Sequence, residues 1–305
     1  MTLPDPARIR ERAADAAYAL GWKVVRRMPE RAARTLFASL ADRAWRQRGR
    51  GVRQLEKNLC RVLGKEAVDE EVRLLSRRAM RSYMRYWMEV FRLPEISRER
   101  ILNDMIVSGH ERVFATLDAG RGVVLALPHM GNYEQAGAWV TLHGYSFTTV
   151  AERLRPESLF DRFLAFRESL GFEVLPLGGG STGAMAFGTL ARRLRAGRLV
   201  ALVADRDLTA GGLEVEFFGR PARLPAGPAA LAVQTGAALF PVTLWYEGDK
   251  WAARVHEEIP VPDTGDRKEK VRAMTQRLAL AFQEGIAEHP EDWHMLQKVW
   301  VEDLS

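Results

Sequence analysis

His129 and Glu134 are the residues of this chain whose types and spacing most readily do chemistry. They lie in the stretch LPHMGNYE. An imidazole beside a carboxylate is a general base. The carboxylate sets the tautomer and stabilises the imidazolium that forms when a proton is taken. On one continuous helix a five-residue step is about 140° of rotation, so the two side chains would not share a face. Across a strand–turn–helix junction they can meet, and the flanking residues supply one. GVVLALP (122–128) is a short apolar run suited to a strand buried on both faces. Pro128 ends it, and Gly131 and Asn132 turn the chain into a helix expected over 133–143. Asn132 is placed as its N-cap. Glu134 falls in the first turn, where the helix dipole favours a carboxylate. A residue at the carboxyl end of such a strand faces the ligand crevice.

The elements that must position this pair follow from periodicity. Residues 7–48 read as helical, with Ala16, Ala17, Leu20, Val24 and Val25 apolar. Pro29 restarts the pattern, and Leu36, Phe37, Leu40, Ala44 and Trp45 form a stripe. Further helices are expected over 52–63 and 67–92, the latter stopped by Pro94. From about residue 100 strands and helices alternate. Strands are expected at 146–150, 172–176, 199–204, 239–246 and 251–259, with an irregular one at 213–218. Helices are expected at 157–170, 183–196, 228–235 and 269–288. The alternation indicates an α/β fold, a central mostly buried β-sheet covered by α-helices. Residues 1–100 form an N-terminal helical region packed on or contiguous with an α/β core over 101–305, one structural domain overall.

Composition narrows the classes. Of 305 residues, 47% are hydrophobic and 28% charged, the balance of a globular chain with a large core. The net charge is +6, and the basic excess sits in the N-terminal third. Such a region can face nucleic acid, an anionic membrane or a phosphorylated small molecule. It lacks the aromatic–basic interleaving of single-strand binders, so no nucleic-acid partner is expected. Cys60 is the one cysteine, so no intrachain disulfide is possible. No paired Cys/His spacing indicates a zinc site, and no metal is expected. Charges interrupt every apolar run in residues 1–30, unlike a signal peptide. The longest apolar stretch, 226–246, is broken by Pro228, Gln234, Gly236 and Pro241, so it does not read as a transmembrane helix. Gly178, Gly179, Gly180 and Ser181 lack the lysine of a phosphate loop and read as a turn. Residues 208–212 read as a loop.

The stretch LPHMGNYE resembles the H-x4-D/E motif of glycerolipid and lipid A acyltransferases. VAERLRPESLFDRF, VADRDL, VEFFGRPARLPAGPAALAVQTGAALFPV and DWHMLQKVW resemble segments of actinobacterial phosphatidylinositol mannoside acyltransferases, in order and over nearly the whole chain. The resemblance implies a peripheral enzyme at the cytoplasmic face of the cell membrane. Acyl-CoA would be its co-substrate and a mannose hydroxyl of a glycolipid its acceptor, with no further cofactor. A lipid A-type or lysophospholipid acyltransferase is the alternative, and a lipid-binding protein without turnover the non-enzymatic one.

The resemblance implies His129 as the base that deprotonates the acceptor, with Glu134 completing the motif. It implies Glu152 as an acid holding acceptor or histidine, and Asp205 as an acid pairing with the histidine. Which of the three acids orients His129 stays open at this point. Arg167 and Arg206 are implied as basic site residues. The thioester carbonyl develops an oxyanion, which the backbone N–H groups of Gly131 and Asn132, or Arg206, could meet. His294, in DWHMLQKVW, is expected to pack rather than to catalyse. Helices with Trp22, Phe37 and Trp45 beside Arg and Lys are expected to face an anionic membrane, where each basic group contributes about 1 kcal/mol.

Overall fold

The apolar runs after residue 104 are the strands of one seven-stranded sheet. The structure, a computed structural model, describes residues 21–152, 164–165, 167–177, 181–207 and 211–304. The helical stretch expected before residue 21, most of that expected at 157–170, the triple-glycine turn and residues 208–210 lie outside the described residues. The strands are β1 Met105–Ser108, β2 Val123–Leu127, β3 Phe147–Glu152, β4 Glu173–Leu177, β5 Leu199–Val203, β8 Ala238–Glu247 and β9 Lys250–Val255. Their order is β1-β9-β8-β2-β5-β3-β4. Neighbours pair parallel throughout except β8 and β9, which form an antiparallel hairpin. The two remaining strands, β6 Leu213–Phe217 and β7 Arg220–Leu224, form a separate hairpin.

β2 lies at the centre with all five residues buried, as a parallel strand covered on both faces must be. Its side chains alternate between two cores. Val124 and Ala126 point into one, with Leu190, Leu231, Leu278 and Phe282. Those four come from α7 Ser181–Arg195, α8 Gly227–Thr235 and α9 Arg267–Glu288. Val123, Leu125 and Leu127 point into the other, with Tyr86, Ile101, Val113 and Trp139. These come from α3 Glu70–Arg92, α4 Arg98–Asp104, α5 His110–Asp118 and α6 Tyr133–Leu142. The result is a three-layer α/β/α arrangement.

Two strands go beyond the sequence reading. β1 (MIVS) has only four residues and follows a helix directly, and β7 (RPARL) is polar, with Pro221 where a central strand would need a donor. The strand expected at 251–259 ends at Val255. In the N-terminal helices α1 Glu30–Gln47 and α2 Arg50–Val62, the expected stripe divides. Phe37 packs on Val25, Ala33 and Met88, whereas Leu36 and Leu40 point outward at 41% and 43% exposure. α3 joins this region to the sheet. Glu89, buried on α3, accepts from the Trp251 indole on β9 at 2.7 Å and from Asn132 Nδ2 at 2.8 Å.

Candidate active site

β2 and β5 pair in register from Val123 with Leu199 to Leu127 with Val203. Two residues past that end each strand delivers one side chain to the same height: His129 from β2 and Asp205 from β5. The distance from His129 Nδ1 to Asp205 Oδ1 is 2.6 Å. Asp205 Oδ2 accepts the His129 backbone N–H and the Trp293 indole N–H, both at 2.9 Å. The carboxylate is wholly buried, while the His129 side chain is 32% exposed. Burial alone would raise the Asp205 carboxyl. The charge and hydrogen bond of His129, with the Trp293 donor, outweigh it and hold Asp205 below the usual carboxylate range. The acid is therefore ionised, fixes the proton of the neutral imidazole on Nδ1, and leaves Nε2 as the accepting atom.

Glu134 occupies a different place. It lies 3% exposed in the first turn of α6 and takes the Arg167 guanidinium in a two-pronged ion pair, with Nε to Oε1 at 3.0 Å. For Arg167, burial works against the charge, but Glu134 overcomes it and raises the guanidinium further. The five-residue spacing thus puts His129 and Glu134 on one junction without joining them. Glu152 closes β3, and its side chain lies outside the described part of the structure. Arg206 follows Asp205 and is half-buried.

The loop between β2 and α6 departs from the expected oxyanion role at Gly131. Its N–H is held by the Asp292 carbonyl at 2.9 Å, so that donor is already paired. Gly131 sits at φ +55°, and a Cβ there would stand 2.7 Å from the Leu244 backbone. It is the residue that lets the loop lie against β8. Asn132 caps α6 as expected, Oδ1 receiving the Gln135 N–H at 3.1 Å. Its side-chain amide is committed to Glu89.

Residues the sequence reading passed over hold this loop in place. The tail segment Asp292–Met295 runs along it: His294 N donates to the His129 carbonyl at 2.8 Å, and Met130 bridges to Trp293. His294 packs as expected, with burial and then the charge of His129 pushing its imidazole down to about 3. Its Nε2 meets the Ser82 hydroxyl at 2.8 Å, which also reaches Asp292. Burial pushes the Asp292 carboxyl up to about 6. The family-like tail DWHML was the only sequence signal for this support.

Beside the base lies an apolar cavity of about 110 Å³, between the sheet and helices α5 and α6. Its lining includes Glu134, Arg167 and Tyr133, the last with its ring edge-to-face to His129. Leu125, Leu127, Ala201, Val203 and Val242 form its floor, and His110, Phe114 and Trp139 lie at the β1 side. A general base beside an apolar slot fits a reaction in which a hydroxyl attacks the carbonyl of a bound alkyl chain.

Comparisons with known proteins point to acyl transfer. The sequence profile of the bacterial lipid A biosynthesis acyltransferases matches residues 6–302. The phosphatidylinositol mannoside acyltransferase of Mycolicibacterium smegmatis is 49% identical over 100% of this chain and 97% of its own length. That of Mycobacterium tuberculosis H37Rv is 50% identical over 96% of this chain and 90% of its own. The crystal structure of a 1-acyl-sn-glycerophosphate acyltransferase from Thermotoga maritima covers 68% of this chain and 86% of its own, with a TM-score of 0.37 and 16% identity. At that distance the fold assignment rests on the topology above. With a profile match along almost its whole length and relatives at half identity, the chain belongs to the bacterial lipid A biosynthesis acyltransferase family and is an acyltransferase.

Proposed function

We propose that this acyltransferase moves a long acyl group from acyl-CoA to a mannose hydroxyl of a phosphatidylinositol mannoside. The observation that carries the reading is the His129–Asp205 pair, near an apolar cavity lined by Tyr133, whose ring stands edge-to-face with His129. The acceptor follows the two relatives at 49% and 50% identity, which bear that activity in their names. In this reading the cavity holds the alkyl chain and the thioester carbonyl sits next to His129. His129 Nε2 takes the acceptor proton, and Asp205 stabilises the imidazolium. The alkoxide attacks the carbonyl, the C–S bond breaks, and the thiolate recovers the proton from the imidazolium. A positioned base of this kind contributes about 10²–10⁴-fold.

The same reading places the protein peripherally at the cytoplasmic face of the cell membrane. No described helix is long and apolar enough to cross a membrane. Val24, Leu36 and Leu40 are exposed, with Arg27, Arg31 and Arg43 exposed on the same stretch, the composition of an interfacial surface. An acceptor panel run with one long-chain acyl-CoA tests the assignment. Transfer to phosphatidylinositol mannoside is expected. Transfer to a lipid A precursor or a lysophospholipid, with none to the mannoside, would reverse it.

A further inference from the structure

The oxyanion of the tetrahedral intermediate needs a hydrogen-bond donor, and the nearby Gly131 N–H is already paired with the Asp292 carbonyl. Tyr133 offers one. It follows the N-cap at the start of α6, lines the apolar cavity, and stands edge-to-face to His129 with 6.4 Å between ring centroids. Among the described residues its hydroxyl makes one hydrogen bond, 2.6 Å to the hydroxyl of Tyr86, which donates to it. Two phenols carry two protons, and one hydrogen bond between them uses one. The Tyr133 proton is left over, on the ring that faces the cavity, while Tyr86 is 4% exposed on α3. A buried donor without an acceptor is costly until something accepts from it. The reacting carbonyl must lie within about 3 Å of an acceptor oxygen that is itself about 3 Å from the base.

We propose that the Tyr133 hydroxyl, held and polarised by Tyr86, is the hydrogen-bond donor to the oxyanion. The inference rests on the acyl-transfer reading above. As the acceptor oxygen bonds to the carbonyl carbon, its proton passes to His129 Nε2. The carbonyl oxygen gains the negative charge and accepts from the Tyr133 O–H, which keeps its proton. When the C–S bond breaks, the charge returns to the carbonyl and the thiolate takes the proton from His129. Burial pushes both phenols above their ordinary value, so both remain donors throughout the neutral range. Donation from Tyr86 makes Tyr133 the stronger acid of the pair, as a chain of hydrogen bonds polarises its members.

The test uses the full chain and its Tyr133→Phe variant, which keeps the ring. Transfer from a long-chain acyl-CoA is measured together with acceptor-free release of the thiol. Binding of the matching S-alkyl-CoA thioether, which has no carbonyl, is the control. The expected result is a kcat lower by about 10²–10³-fold in both reactions, with thioether binding unchanged. Tyr86→Phe should lose less, because the Tyr133 hydroxyl remains. Normal turnover by Tyr133→Phe would overturn the inference. So would a loss of turnover matched by an equal loss of thioether binding, which would make the hydroxyl structural. Unsubstituted protein that fails to transfer would overturn the functional reading along with it. A working unsubstituted protein beside a fully active variant overturns only the role of Tyr133.

Discussion

Asp205 sets both of its carboxylate oxygens against His129. Oδ1 meets the His129 imidazole, and Oδ2 holds the His129 backbone and the Trp293 indole. Asp205→Asn keeps the shape but replaces one acceptor by a donor and cannot stabilise an imidazolium. The expected outcome is a kcat about 10²–10⁴-fold lower with little change in KM, read by acyl-transfer kinetics. The stability effect has a defined pH window. The folded-state pKa of Asp205 is depressed, so its contribution is fully present above the unfolded value of about 4. It is lost as pH falls through the lower folded value. The difference in unfolding free energy between wild type and variant should be flat from pH 5 to 8 and shrink below pH 4. Denaturant titrations across that range check this. His129 was legible in the sequence as a candidate base because a lone histidine ends a buried apolar run before Gly-Asn. Its pairing with Asp205 was implied by the resemblance alone. Glu134, Glu152 and Asp205 are chemically equivalent candidates, and only the register of β2 against β5 brings residue 205 to residue 129. Glu134 sits closer in sequence, yet Arg167 takes it.

At the scale of elements, the segment 290–296 serves as a clamp rather than a tail. Its backbone pairs with the loop carrying His129, and Asp292 also accepts the Tyr246 N–H at 2.9 Å. Two of its residues titrate in opposite senses. Asp292 has a folded pKa raised to about 6, so the folded state binds the extra proton between about pH 4 and 6. Its contribution is present at the acid end and lost as pH rises through 6. His294 has a folded pKa lowered to about 3, so the unfolded state binds the extra proton between about pH 3 and 6.5, and stability is lost there as pH falls. Between pH 4 and 6 the two nearly cancel. His294→Gln removes one side of that balance. The variant should become more stable, relative to its own value at pH 6.5, as pH falls from 6 to 4, with a slope approaching 1.4 kcal/mol per pH unit. Thermal or denaturant unfolding at stepped pH checks it, and a slope identical to wild type would contradict it. The sequence made central elements legible, since β2, β5 and β8 are apolar runs that only a doubly covered sheet can use. It concealed β1, an edge strand only four residues long, and β7, a largely polar hairpin arm, because neither carries a long apolar run. The clamp was concealed too, since its bonds are backbone bonds that no residue type announces.

For the molecule as a whole, α3 joins the N-terminal helices to the sheet, and α1 also presents an outer surface of its own. The apolar stripe of α1 is split between these uses: Phe37 faces inward, Leu36 and Leu40 outward. Periodicity shows the stripe but not its division, since which side meets α3 depends on packing between helices. If the outer face meets a membrane, the double substitution Leu36→Glu, Leu40→Glu should lower co-sedimentation with anionic phospholipid vesicles at least several-fold. Wild-type binding should itself weaken with added salt, because Arg27, Arg31 and Arg43 act through the surface potential. Retained binding by the double variant would remove this face from the account. The catalytic reading turns on one residue, His129 just past the end of β2. The most direct measurement is therefore acyl transfer from long-chain acyl-CoA to phosphatidylinositol mannoside by His129→Ala, with its fold verified by an unchanged melting transition. A drop of about 10²–10⁴-fold in kcat is expected, and near-normal turnover by that variant would contradict the assignment of His129 as the base.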